Sequence, residues 1–519
     1  MNRRDLQNKA PGSILWCVFL LVAYLPPLTV LFAGAAPSSV QQGAFAFLNV
    51  RQLTLLGSSL VLAAMVAGVA MTLAVPFALA LWRAPWRQAR VARWLLLGWI
   101  VVPPCVQAMA WRGFFRWING LLSGAVPLTG WCAAGILQLM AFLPLAIGLA
   151  WLGFDSVDSR FVEAARMQRR ERAVLMRIAL PLAAPGLLAG FGIVFLLSLL
   201  DYSLPSLCGV TVYTLDLFAE YTAHKDARQA LLQALPVILI SASVVWLSQS
   251  AFRNAASNAD REPTARSSTG GARWALIVSW VGIAALLAFP LLALGRMVAG
   301  GAGGATLESA WRLVGEASWV SLRTAVAAAL LSIPPAMVVA EALAAGGWRS
   351  HLAWLTATLP LAIPPPLVGI GWSVLATQVG WPLHGSSWLP VLAAMSRFLP
   401  IAALVLLVAR RRLDPLLWDA ARVFQPEPWS GFWRIRLPLL RPGVLAAFAL
   451  VVALTLGELG ATVMVQAPGE PTLTVRLYNF LHYGASAHVA MLGLFMALLA
   501  TLSGFVAGWL LGDGRPGSA

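Results

Sequence analysis

Charge is scarce in this chain of 519 residues: Asp, Glu, Lys and Arg make up 11% of it, against roughly a quarter in soluble globular domains. With 60% of residues hydrophobic, one core beneath a polar surface cannot hold the apolar side chains. A water-soluble fold is excluded, and lipid is the solvent for most of the chain. Lysine is nearly missing too: of 36 basic residues only Lys9 and Lys225 are lysines. Lys9 follows Asn8 and Lys225 follows His224, so neither completes the Gly-Lys-Ser/Thr of a phosphate-cradling loop. The chain is therefore not expected to use ATP that way by itself. The five histidines (His224, His351, His384, His482, His488) include no His-Glu-x-x-His, and no Gly-x-Ser-x-Gly occurs, so the common zinc-hydrolase and serine-hydrolase patterns are absent. Cys17, Cys105, Cys132 and Cys208 lack metal-ligand spacing and are read as packing residues. Neither a metal site nor a catalytic site is expected.

What the chain does have is long apolar runs. A bilayer core demands about 20 apolar residues per helix, and twelve stretches qualify: 14–35, 53–81, 94–110, 131–152, 186–207, 230–252, 274–295, 320–344, 351–376, 389–409, 443–465 and 487–511. The first is too long for the apolar region of a secretory signal and is kept as a membrane helix. The net charge of +16 suggests nucleic acid binding only if its distribution is ignored. With the N-terminus placed inside, 26 basic residues fall in inside segments and 8 in outside loops. This asymmetry sets orientation and predicts both termini in the cytoplasm.

Local patterns recur at a nearly fixed offset of about 260 residues, the signature of an internal duplication. Ser59 and Pro76 match Ser318 and Pro335; Pro103-Pro104 with Trp111 match Pro364-Pro365 with Trp372; Phe142-Leu143-Pro144 match Phe398-Leu399-Pro400. The expected fold class is an all-α membrane protein of about twelve transmembrane helices. Six helices per half is an even number, so both halves enter from the same side as parallel pseudo-symmetric repeats. The expected organisation is a first half over 1–252, a polar Ser/Ala/Gly/Pro-containing linker over 253–273, and a second half over 274–519.

The longest inside loops hold matching positions in the two halves. One reads EAARMQRRERAVLMRIALP from Glu163 to Pro181, the other DAARVFQPEPWSGFWRIRLP from Asp419 to Pro438. Each is expected to form a short helix outside the membrane: an acid opens it, two alanines permit close approach of another backbone, and Leu-Pro stops it. Val174, Leu175 and Ile178, or Trp429, Phe432, Trp433 and Ile435, provide an apolar side.

Here the chain resembles the membrane subunits of binding-protein-dependent (type I) ABC importers, whose loop has Glu-Ala-Ala, then Gly, then Ile-x-Leu-Pro. Glu163, Ala164, Ala165, Ile178, Leu180 and Pro181 match in the first half; Ala420, Ala421, Ile435, Leu437 and Pro438 match in the second, with Asp419 in place of Glu. Arg169 and Gln425 stand where the family has Gly, and the first loop is one residue short. The resemblance implies that these loops couple to ATPase subunits. It implies a bacterial inner-membrane permease that is not itself an enzyme and binds no cofactor, because ATP is used by a pair of partner ATPase subunits. An extracytoplasmic solute-binding protein and membrane lipid are the other expected partners. The fused two-half form is most similar to ferric-iron and thiamine importers, so iron is the first expected solute and thiamine the second. A small organic cation or an oxyanion stays open, as do a proton-coupled secondary transporter and a membrane enzyme with a dispersed site.

Ionisable residues inside spans are functional hypotheses by default. Asp201 and Glu458 lie equally far along from Pro181 and Pro438, so the duplication puts an acid at the same depth in both halves. Arg397 falls near that level, and its counterpart Ala141 is neutral. Two readings follow. The acids line the translocation path, or Glu458 pairs with Arg397 while Asp201 caps a helix break near Pro205. Glu341 is read as a snorkelling side chain at a helix end.

Overall fold

The computed structural model describes residues 3–32, 49–121, 124, 126–257, 270–300, 307–345, 348–380, 385–414, 416–417, 428–483 and 487–512. These residues are mostly helical, with no strand among them. Ten helices among them are long and apolar enough to cross a membrane, or twelve if each of two bent pairs counts as one span.

Each half is built on three mutually packed helices. In the first they are α2 (Val50–Trp82), α5 (Gly130–Asp155) and α8 (Leu180–Leu200). Lipid offers no hydrophobic drive for helix association, so close packing through small residues must supply it. Accordingly α5 meets α8 where Gly186 lies so near Gly153 that an added Cβ would sit 2.6 Å from the Gly153 Cα. The second half repeats the arrangement with α13 (Leu307–Ala344), α16 (Trp388–Arg411) and α18 (Leu437–Leu456). There Gly443 faces the Ala409 methyl.

The bent pairs correct two expected spans. The stretches 94–110 and 351–376 are not single helices. In the first half α3 (Trp86–Ile100) and α4 (Pro104–Leu121) meet at 99°; in the second, α14 (Trp348–Thr358) with its terminal 3₁₀ turn meets α15 (Pro365–Val379) at 92°. Proline removes a helical N–H and forces the residue before it out of the α region. Pro364 is extended (φ −56°, ψ 135°) and Pro365 opens the next helix. Two further spans are shifted. Instead of 186–207 and 443–465, the apolar helical segments run Glu171–Leu200 and Phe432–Leu456.

Beyond α8 the first half continues through α9 (Ser203–Leu207), α10 (Tyr213–His224) and α11 (Ala227–Ser257). The second half opens with α12 (Gly270–Ala299), and beyond α18 it has α19 (Thr462–Val465), α20 (Leu473–Tyr483) and α21 (Ala487–Gly512). The same two bonds fasten each return segment. Ser59 Oγ accepts the Tyr213 N–H (2.9 Å) and Ser321 Oγ accepts the Leu473 N–H (2.6 Å). Next along, Thr214 donates to the Leu199 carbonyl and Thr474 to the Leu456 carbonyl. The structural counterpart of Ser59 is thus Ser321, one turn along from the expected Ser318. In the loop between α19 and α20, Glu470 accepts from the Ser387 hydroxyl (2.6 Å) and from Arg323 of α13 (2.7 Å), which hold its pKa below the usual carboxylate range.

The halves exchange their first helices. Helix α1 (Arg3–Phe32) packs on α13, α15 and α16 of the second half, while α12 packs on α2 and α4 of the first. Pro26 cannot donate to the Val22 carbonyl as a helical residue would; the Ser396 hydroxyl of α16 donates to it at 2.6 Å, and Ser396 Oγ accepts from the Trp372 indole. Thr29 donates to the Gly371 carbonyl at 3.0 Å. Of the cysteines, Cys105 and Cys208 are buried, whereas Cys17 and Cys132 are exposed on the helix surface.

A Cβ on Gly371 would fall 2.1 Å from the Pro26 carbonyl oxygen. Gly371→Ala is therefore expected to destabilise the α1 contact by about 1–3 kcal/mol, the usual cost of overpacking. It should lower the unfolding midpoint in detergent, whereas Gly295→Ala, with open space around it, should leave the midpoint within error.

Candidate functional site

The first repeated loop is a compact hook. Helix α6 (Ser159–Arg166) opens at Asp158, whose Oδ1 accepts the Arg160 N–H at 3.0 Å. Glu163 therefore lies inside the helix and does not open it, contrary to expectation. The Gln168 and Arg169 N–H groups both donate to the Ala165 carbonyl, which turns the chain without a left-handed residue. Among the described residues the only non-glycine with positive φ is Lys225, so the turn at Arg169 needs no glycine.

Helix α7 (Glu171–Val174) then passes through a widened π turn, Leu175–Ala179, directly into α8. The Leu180 N–H reaches back to the Leu175 carbonyl, five residues away. The wide turn makes room for Pro181, which lacks an N–H and whose ring would press on the carbonyl four residues earlier. Leu-Pro does not stop the helix, as the sequence suggested; it begins the membrane span. The second copy does the same. After α17 (Pro428–Gly431), the π turn Phe432–Arg436 precedes Pro438, and the Leu437 N–H reaches the Phe432 carbonyl. Asp419, Ala420, Ala421 and Gln425 lie outside the described residues.

The hook is tied to the bundle by charge. Glu171 accepts from Arg166 (3.2 Å) and pairs with Arg83 beyond the end of α2. Burial lowers the Arg83 pKa, and the adjacent Glu171 carboxylate opposes that. Val162, Val174 and Ala179 are buried beneath the hook, and Ala165 packs against the same core. Glu163, Ala164 and Pro181 face outward, with Ile178 and Leu180 half-buried. So do the large apolar side chains of Phe161 (62% exposed) and Met167 (88%). In the second copy Ile435 and Leu437 are half-buried and Pro438 is exposed. There Arg436 lies 3.5 Å from Glu341 at the end of α13.

At the opposite ends of α8 and α18 sit the two carboxylates, each just past the last helical residue. Asp201 Oδ1 accepts the Ser203 N–H (3.0 Å) and hydroxyl (2.6 Å); Oδ2 accepts the Leu204 N–H (3.4 Å) and the Gln138 amide (3.3 Å). Glu458 Oε1 accepts the Ala461 N–H (2.9 Å) and pairs with Arg397; Oε2 accepts the Thr462 N–H (2.8 Å) and the Thr462 hydroxyl. An ionised carboxylate has about four lone-pair positions. Both acids therefore have every position filled by the chain's own donors. Each caps the short helix that follows, α9 or α19, and thereby satisfies N–H groups that lipid cannot.

The residue missing from the sequence reading was Gln138, fully buried on α5 and held by the Ser198 hydroxyl at 2.7 Å. It serves Asp201 as Arg397 serves Glu458. Its signal was present: an amide in the otherwise apolar stretch 131–152. The Ser two residues after Asp201 and the Thr four after Glu458 were capping signals of the same kind.

The family model described as "binding-protein-dependent transport system inner membrane component" matches residues 70–253 and again residues 332–512. The chain belongs to this family. Each match runs from within the second helix of a half to its last helix, so the inner membrane component occurs twice and each copy contains one π turn before a Leu-Pro and one capped carboxylate. Among similar proteins is the molybdenum transport system permease protein ModB of Haemophilus influenzae, 32% identical over 209 residues, covering 37% of this chain and 90% of ModB. A permease protein named for 2-aminoethylphosphonate transport, PhnV of Salmonella paratyphi A, is 32% identical over 154 residues; the match covers 29% of this chain and 57% of PhnV. The putrescine transport system permease protein PotI of Escherichia coli K12 is 25% identical over 202 residues, 38% of this chain and 71% of PotI. The chain thus spans little more than half the length of PhnV.

Glu458→Gln should strand the Arg397 guanidinium and cost roughly 3–5 kcal/mol, as removal of one member of a buried pair does. The readout is the yield of folded, monodisperse protein. Neutralising Arg397 together with Glu458 should recover part of that yield. A double variant no better than either single one would remove the pair from the account of stability.

Proposed function

We propose that the chain is the permease of an ATP-driven importer, working with two copies of an ATPase subunit and an external solute-binding protein in a bacterial inner membrane. The observation that carries this reading is the first hook. It presents Phe161 and Met167 to solvent beyond the spans, on a helix whose other face is locked by Val162 and the Glu171–Arg83–Arg166 cluster. Exposed apolar side chains on a rigid, charge-fastened element are what a partner groove can grip. Closure of the ATPase pair on ATP would draw the two hooks together, and α7 with α8 would carry that movement to the break at Asp201.

A proton-coupled transporter is the weaker reading. It needs a carboxylate free to exchange a proton along the path, whereas Asp201 and Glu458 are both saturated by fixed donors. The same saturation counts against ferric iron as a bare cation, the solute the resemblance puts first. The names of the relatives widen the choice to a phosphonate, molybdate or putrescine.

Ala164→Trp, on the exposed side of α6, should reduce recovery of the ATPase on the purified permease at least tenfold and leave the permease level in the membrane unchanged. Unaltered recovery would overturn the docking role of the hook. Reporter fusions after residue 262 and at the C-terminus should both read as cytoplasmic, because the basic residues partition 26 to 8 and that asymmetry sets topology. An external signal at either position would overturn the proposed orientation.

A further inference from the structure

We infer that the cavity between α4, α9, α12 and α20 is an oxyanion site, gripped by Arg112 and Arg116; this rests on the permease reading, since it makes the site part of the route through the chain. The cavity holds about 100 Å³; Arg112 and Arg116 of α4 line it together with apolar side chains, Met109 of α4, Leu207 of α9, Met297 of α12 and Leu481 of α20. It therefore lies where the first half meets the second. A water molecule's share of liquid is about 30 Å³, so the space suits one small tetrahedral anion or a few waters.

The two arginines stand four residues apart on one helix, which puts both guanidinium groups on the same face; Arg112 is half-buried at the wall and Arg116 is exposed at the mouth. No acid lines the cavity, and among the described residues neither arginine has an ion-pair partner. Arg112 Nη1 donates to the Leu207 carbonyl at 2.7 Å, which fixes the group at the cavity wall. Its Nε is buried with no hydrogen-bond partner. A third cation, Arg296, exposed on α12 before Met297, lies over the ring of Trp117, the residue after Arg116, at 5.2 Å. Like charges facing one space without a counter-charge are costly, and an anion that accepts from the guanidinium forks removes the cost. Asp201, at the break of the same half, has its oxygens turned to Ser203, Leu204 and Gln138 and makes no ion pair with either arginine. With Trp111 matched to Trp372, the second half has Ser373 and Thr377 at the positions of Arg112 and Arg116. The positive site is thus confined to one half, and the path it borders selects for negative charge.

The test is thermal unfolding of the full-length permease in a phosphate-free maltoside detergent. Inorganic phosphate or sulfate is added at low millimolar concentration and compared with chloride at matched ionic strength. Both anions also stabilise proteins by exclusion from the surface, so the deciding quantity is the difference between wild type and Arg112→Gln/Arg116→Gln. The expected result is a midpoint several degrees higher with phosphate or sulfate than with chloride in wild type, and loss of most of that gain in the double variant. Arg112→Lys/Arg116→Lys should keep part of it. Equal gains in wild type and the Gln variant, or no gain in wild type, would overturn the site. A parallel series in lipid nanodiscs separates the two sources of such an anion. If only phosphatidylglycerol, and not free phosphate, gives the variant-sensitive gain, the ligand is a lipid headgroup and the solute site is overturned. Recovery of the ATPase, measured on the same Gln variant, should be unchanged. That readout fails independently if the permease reading itself is wrong.

Discussion

Every helix that breaks inside lipid frees peptide groups that water cannot reach, and the architecture of this chain is organised around supplying their partners from within. The two bent spans, the two carboxylates and the crossed first helix are versions of the same solution. Where Pro26 leaves the Val22 carbonyl open, Ser396 fills it from another helix. Where α8 and α18 end, Asp201 and Glu458 take up the N–H groups of the turns that follow. These polar contacts are few and each is made by a named side chain. Between them the helices touch through glycine and alanine, as at Gly153 and Gly186.

The carboxylates also show how the protein keeps charge in a place where charge is expensive. Glu458 is 3% exposed and is compensated by a guanidinium and two backbone dipoles. Asp201 manages with an amide, a hydroxyl and two N–H groups. The duplicated scaffold thus holds two equivalent acids by different means: a guanidinium stands beside Glu458, and only neutral donors stand beside Asp201. A symmetric backbone here carries an asymmetric field, and the arginines of α4 add to the asymmetry.

Much of this was legible in the sequence. The apolar runs marked the helices, the repeated Pro-Pro and Leu-Pro motifs marked the duplication, and one of the two readings of the span charges named the Glu458–Arg397 pair and the break at Asp201. What composition could not reveal was the direction of the chain at those prolines. A run such as 94–110 is apolar whether straight or bent by 99°, because hydropathy is blind to the missing N–H that turns it. The role of Leu-Pro was misjudged for a related reason: proline ends a helix when it comes late and begins one when it comes early, and only the π turn upstream decides which. Gln138 went unnoticed because it is one amide among many apolar neighbours and its partner is remote in sequence. The pairing of Ser59 with Ser321 in place of Ser318 is a one-turn slip that sequence spacing alone could not resolve.

The continuity of α7, its π turn and α8 has a mechanical consequence. From Glu171 to Leu200 the helical segment spans 30 residues, about 45 Å at 1.5 Å per residue. The closest crossing with α5, at Gly186 against Gly153, falls near its middle, about 22 Å from Glu171 and about 22 Å from Asp201. Were the segment to pivot at that crossing, a shift of the hook by a few ångströms in one direction would move the Asp201 break by a similar distance in the other, once the Glu171–Arg83 pair that ties the hook to α2 let go. Glycine on both sides of the fulcrum leaves no side chain to jam the pivot. The gearing between hook and break is then set by where in the sequence a single glycine pair was placed.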